Sequence, residues 1–224
     1  MQFILTAGWE DGVADLTERL VRELASGKKV LWLVSGGSNI PASSQIMDNI
    51  PSRLSQNLTV TLVDERYGDV GHEESNWAQL MTSGFNSGQA TLLPVLQDDM
   101  SFEQTIDYYD QIAGAALADN TIVIAQLGIG PDGHIAGILP DSSSSRDTDD
   151  IAVGYKSTPF DRLTLTYKGL RMIDVAYTFA FGNTKHQALD SLQSKSLGLA
   201  KQPSEILKEI PEAYIYNDQC GEHK

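Results

Sequence analysis

The chain is 224 residues long, 41% hydrophobic and 21% charged, with 30 acidic against 16 basic side chains and a formal net charge of −14. That size and balance suit a globular α/β protein with one domain spanning residues 1–224. The absence of clustered Lys and Arg argues against nucleic acid or an anionic membrane as partner, and the acidity gives an anionic ligand no long-range steering.

The single cysteine, Cys220, excludes an internal disulfide and a cysteine-rich metal site, and reads as a surface thiol. Met1–Gly8 lacks the charged flank and full apolar core of a signal peptide. No apolar run approaches membrane-spanning length, so a cytoplasmic location is the expectation.

In chain order, Val13, Leu16, Leu20, Val21 and Leu24 recur at helical spacing between Asp11 and Leu24, and Gly27 ends that helix. Val30–Val34 reads as a buried strand, Ser35–Pro41 as the turn after it, and Pro41 as the first turn of the next helix. Leu58–Val63 is a second strand with Asp64-Glu-Arg-Tyr67 at its carboxyl end, and Ser75 suits the N-cap of a helix. Thr91–Leu96 is too short and proline-broken for a central strand, and Phe102–Leu117 is helical. Thr121–Leu127 is a continuous apolar run that stops at Gly128, the pattern of a parallel strand buried on both faces. Asp141–Asp150 is polar without apolar period and reads as a mobile surface loop near the site rim. Arg162–Thr166 alternates as a strand, Val175–Phe181 is another, Gly182–His186 leads into a helix through Leu192, and Ala213–Tyr216 is a short final strand. The strand–turn–helix rhythm predicts an α/β three-layer sandwich, with a Rossmann-like, largely parallel sheet and helices on both faces.

Chemistry concentrates just beyond the strands, where ligands bind in such sheets. Gly128-Ile-Gly-Pro-Asp-Gly133 formally matches a dinucleotide fingerprint, but Pro131 removes a donor and Asp132 would set a carboxylate against a pyrophosphate. Ser35-Gly-Gly-Ser38 lacks the ending of a nucleotide P-loop. Its open N–H groups and hydroxyls at a helix start still suit a single phosphate, against the alternative of a tight turn needing glycine. A lone histidine is more often structural, yet His134 has Asp132 two residues earlier to orient its imidazole. His72, His186 and His223 have no such company and read as surface residues. Arg66 and Lys185 each follow a strand, and both can point over the same sheet edge to hold a dianion.

Taken together, Ser35–Ser38, Asp64–Arg66 with Ser75-Asn76, Leu127–His134, Arg162–Thr166 and Gly182 with Lys185 resemble the 6-phosphogluconolactonase family, within the wider glucosamine-6-phosphate isomerase/deaminase-like superfamily. The resemblance implies hydrolysis of 6-phospho-D-glucono-1,5-lactone by a water that His134 activates and Asp132 helps orient. It implies phosphate and sugar contacts from Gly36, Gly37, Ser38, Arg66 and Lys185, with Arg162 near the phosphate, and neither a metal nor an organic cofactor. Arg66 or loop N–H groups would stabilise the oxyanion. The expected partner is a small phosphorylated sugar lactone, and the expected assembly a monomer or homodimer.

The sequence departs from the family pattern after His134, after Thr166, and over Gly68–Glu74. Two rivals stand beside this reading. A glucosamine-6-phosphate deaminase carries glutamate five residues after the motif histidine, where this chain has Leu139, and tyrosine where it has Arg66. A non-catalytic sugar-phosphate-binding regulator would have no need of His134 and Asp132 together.

Overall fold

The computed structural model describes residues 1–146 and 148–223. Its strands are β1 (Gln2–Leu5), β2 (Val30–Val34), β3 (Leu58–Leu62), β4 (Asp64–Arg66), β5 (Thr91–Leu93), β6 (Ile122–Gly128), β7 (Ala152–Tyr155), β8 (Arg162–Leu165), β9 (Val175–Ala180), β10 (Glu212–Asn217) and β11 (Glu222–His223). The α-helices are α1 (Glu10–Ala25), α2 (Ile40–Asp48), α3 (Asn76–Thr82), α4 (Phe102–Asp119), α5 (Tyr167–Leu170) and α6 (His186–Ser194).

Among the described residues, eight strands form one sheet in the order β11-β1-β10-β9-β6-β2-β3-β5, and every pairing within it is parallel. Every residue of β2 and β9 is buried, which is why their sequences run apolar without alternation. Right-handed crossovers put α1, α2 and α3 on one face, where α1 packs on α2 and α2 on α3. The same rule sends α4 to the other face, where it packs against a second, three-stranded antiparallel sheet, β4-β8-β7. The predicted α/β layering with a parallel sheet is therefore what the molecule has.

Helix ends follow their sequence signals. Ser75 caps α3 by accepting from the Ala78 N–H, and Ser101 with Gln104 forms a reciprocal capping box on α4. Val13, Leu16, Leu20 and Leu24 form the buried stripe of α1, as their spacing predicts.

Asp64–Arg66 follows the carboxyl end of β3 as expected, and there forms a strand of the small sheet, paired antiparallel with β8. Three expectations need correction. The Asp141–Asp150 stretch is polar yet ordered by its own hydroxyls: Ser144 and Ser145 are buried, and Ser142 donates to the Leu139 carbonyl at 2.6 Å; Asp147 lies outside the described residues. Cys220 is half-buried against the core rather than a surface thiol. His72 is half-buried, its ring hydrogen-bonded to the Arg66 carbonyl at 3.0 Å.

Topology places the site. The connection leaving β2 runs to β3 on one side, whereas the chain leaving β6 returns to β9 on the other. The two carboxyl ends diverge there and leave a crevice between them, the switch point at which α/β sheets bind ligands.

Candidate active site

A cleft of about 570 Å³ opens at this edge, lined in part by Ser35–Asn39 after β2, Gly128–Gly130 and His134 after β6, and Lys185 after β9. The loop after β2 turns through Gly37, whose φ of +64° strains any residue with a Cβ. At Gly36 a Cβ would lie 2.0 Å from Asn76 Oδ1, so the Asn76 side chain occupies space that only a glycine leaves open. Asn76 in turn donates to the Asp64 carbonyl at 3.0 Å. The Ser-Gly-Gly-Ser and Ser-Asn segments thus fit together as one wall of the cleft.

The loop after β6 carries the histidine. Gly130 N–H donates to the His134 carbonyl at 2.9 Å and Gly133 N–H to the Gly130 carbonyl at 3.0 Å. A Cβ at Gly130 would stand 2.0 Å from His134 Nδ1; glycine lets the imidazole lie directly on the backbone. The small sheet braces this loop from behind: Tyr155 donates to the Gly137 carbonyl at 2.5 Å, and Thr164 donates to that of Ala136. Asp132 Oδ1 accepts from His134 Nδ1 at 2.6 Å and from the His134 N–H at 3.1 Å. Burial pushes the Asp132 carboxyl up, but the adjacent imidazole and these hydrogen bonds outweigh it and hold it below its ordinary value. An ionised carboxylate only accepts, so Nδ1 is the nitrogen that donates to Asp132, and Nε2 is the ring nitrogen left for another partner. Asp132 stands behind the ring and does not itself line the cleft.

Three cations face the same space. Arg66 and Arg162 sit directly opposite each other across β4 and β8 and both line the cleft, as does Lys185. Arg66 is the more committed, since Nη1 contacts Glu74 Oε2 at 2.7 Å and its guanidinium lies 5.4 Å from the Phe160 ring centre. Lys185 ends the turn that opens α6, and among the described residues no carboxylate pairs with it. Burial lowers its ammonium, with Asp132 partly opposing the shift.

Sequence reasoning missed three cleft-lining groups. Asp64 is half-buried in the wall, where burial raises its carboxyl despite the pull of Arg162, His134 and Arg66. Trp9 and Phe181 supply an aromatic flank. It also missed Gln126, fully buried within β6; a polar residue in an otherwise apolar run was the available signal.

Comparison with known proteins meets this geometry. A family model described as glucosamine-6-phosphate isomerases/6-phosphogluconolactonase matches residues 8–217. The chain belongs to that family. Among relatives of this glucosamine-6-phosphate isomerase/6-phosphogluconolactonase family, a 6-phosphogluconolactonase of Pseudomonas aeruginosa is 27% identical over 188 residues, covering 80% of this chain and 77% of its own. A glucosamine-6-phosphate deaminase of Lactobacillus johnsonii is 23% identical over 240 residues, covering 100% of this chain and 97% of its own. The crystal structure of 6-phosphogluconolactonase from Thermotoga maritima superposes with a TM-score of 0.81 at 17% identity, covering 99% of this chain and 98% of that one. At that identity the superposition speaks for the fold.

Proposed function

We propose that this protein hydrolyses 6-phospho-D-glucono-1,5-lactone to 6-phosphogluconate. The observation that carries the reading is the His134–Asp132 pair, with its free Nε2 on a cleft that also holds Arg162, Lys185 and the Ser35–Ser38 loop. A base and an anion-holding group on one cleft are what hydrolysis of a phosphorylated lactone requires.

In this mechanism Nε2 of His134 takes a proton from water as its oxygen bonds to C1. Asp132 holds the ring in the required tautomer and stabilises the imidazolium that forms. Arg66 or loop N–H groups meet the developing oxyanion, and the C1–ring oxygen bond then breaks as His134 returns its proton to that oxygen. Gly36, Gly37, Ser38, Arg162 and Lys185 hold the phosphate away from the reacting carbon. The lactone carbonyl is already activated, and no step calls for a metal or an organic cofactor.

The deaminase reading has one structural observation behind it, the Asp64 carboxylate that lines the cleft. Against it, Leu139 occupies the position where a deaminase carries its glutamate. The deciding experiment generates the lactone in situ and follows acid release with and without protein, alongside ammonia release from glucosamine 6-phosphate. Faster acid release is the expected result. A rate equal to that of buffer would end the lactonase reading, and ammonia release would replace it with the deaminase.

A further inference from the structure

Asn39 closes the turn after Ser38, lines the cleft, and is only 4% exposed. Its backbone is held hard: the Asn39 carbonyl accepts from Gln126 Nε2 at 3.0 Å and from Ser43 Oγ at 3.1 Å, and Ser43 also donates to Gln126 Oε1 at 2.8 Å. Its side chain is the opposite case, because the carboxamide makes no hydrogen bond to any described residue. The residue is nine-tenths buried and lines the cleft, so a carboxamide with no protein partner is left to hydrogen-bond with whatever fills that cleft, water or ligand.

Its position names the ligand. A Cβ at Gly128 would lie 2.6 Å from Asn39 Nδ2, so the carboxamide rests over the end of β6, the strand between β2 and β9. Gly128 pairs with Phe179 on β9, and that strand leads to Lys185. The amide therefore stands between the glycine turn after β2 and the lysine after β9, the two groups to which the reading above gives the phosphate.

We propose that Asn39 is a further substrate-contacting residue, its side-chain N–H donating to the phosphoryl oxygens, with buried Gln126 and Ser43 as the residues that aim it. The inference rests on the phosphate placement of the proposed function. A neutral donor suits this spot, since it adds a hydrogen bond without adding a further cation to the three already lining the cleft.

The test is calorimetric binding of 6-phosphogluconate and of gluconate to the wild type, Asn39→Ala and Asn39→Asp, with thermal melts confirming that each variant is folded. Loss of one hydrogen bond to a charged group weakens 6-phosphogluconate binding about tenfold or more in the alanine variant. The aspartate variant is nearly isosteric but sets an anion against the phosphate, so it binds more weakly still. Gluconate binding stays within about twofold in both. Equal losses for the two ligands, or an aspartate variant no worse than alanine, would overturn the assignment. So would a wild type that does not bind 6-phosphogluconate. A wild type without lactone hydrolysis whose phosphate binding still follows Asn39 would sink the proposed reaction and leave this contact standing.

Discussion

Arg162 faces Arg66 in direct register across the β4–β8 pair, two guanidiniums on one side of an antiparallel ribbon. Like charges so placed repel, and Arg162 Nε is buried without a hydrogen-bond partner. Glu74 pairs with Arg66, and burial holds the Asp64 carboxyl beside Arg162 above its ordinary value.

The ribbon is thus built to accept an anion, and ligand-induced stabilisation should show it. At about one hundred times its Kd, 6-phosphogluconate should stabilise the wild type by about 2.7 kcal/mol, read as a rise in Tm. Arg162→Ala and Lys185→Ala should each lose most of that rise. In turnover, both should raise KM for the phosphorylated lactone far more than for gluconolactone. A KM change shared equally by the two substrates would mean these cations do not meet phosphate.

His134→Ala should lower kcat by about 10²–10⁴-fold, the usual worth of a general base, while product binding stays within a few-fold. Asp132→Asn should also reduce kcat with little change in KM, because its target is the ring tautomer rather than the ligand. Single-turnover rates with freshly made lactone check both, and near-normal turnover in His134→Ala would remove that residue from the chemistry.

Glu65 is fully buried beside the cleft and accepts four hydrogen bonds: from the Arg66 and Asn76 N–H groups, the Trp77 N–H and the Ser75 hydroxyl. It ties β4 to the start of α3. Glu65→Gln replaces one accepting oxygen with a donor and orphans at least one buried N–H, at a cost of about 1–3 kcal/mol. Urea unfolding should register that loss; a midpoint unchanged from wild type would contradict it.

Tyr177 is 5% exposed, and burial pushes its phenol up to about 12, with Arg19 pulling the other way. The unfolded phenol ionises near 10. A raised pKa favours the protonated form in the fold, so this contribution is whole below about pH 10 and is lost as pH climbs toward 12. Denaturant midpoints at about pH 9 and about pH 11 should differ less in Tyr177→Phe than in the wild type. Equal pH sensitivity in both would refute the assignment.

The scaffold was legible where one physical rule dominates. Strands β2, β6 and β9 are buried on both faces, and near-continuous apolar runs are what such burial selects, with Gln126 and Thr178 as buried polar exceptions. Their glycine-rich exits announced the cleft for the same reason. Residues 64–66 hid because a three-residue strand of Asp-Glu-Arg has no apolar rhythm, and β7 hid between polar turns. Gln2–Leu5 forms a strand of the main sheet, yet four residues are too few for periodicity to announce it. Asp64 and Asn39 carry no individual role in the sequence because their meaning depends on neighbours far along the chain. Asn39 acquires a role only once Gln126, 87 positions on, fixes its backbone from an adjacent strand.

The first strand has its own consequence for biosynthesis. Among the described residues β1 pairs only with β10 and β11, and roughly two hundred residues separate it from the former. At translation rates of about 5–20 residues per second, its amide edge waits on the order of ten to forty seconds for a partner. During that interval the nascent chain presents a short template for mispairing. Kinetic safety in the cell therefore depends on how soon the ribosome delivers a strand that looks, in the finished molecule, like an immediate neighbour.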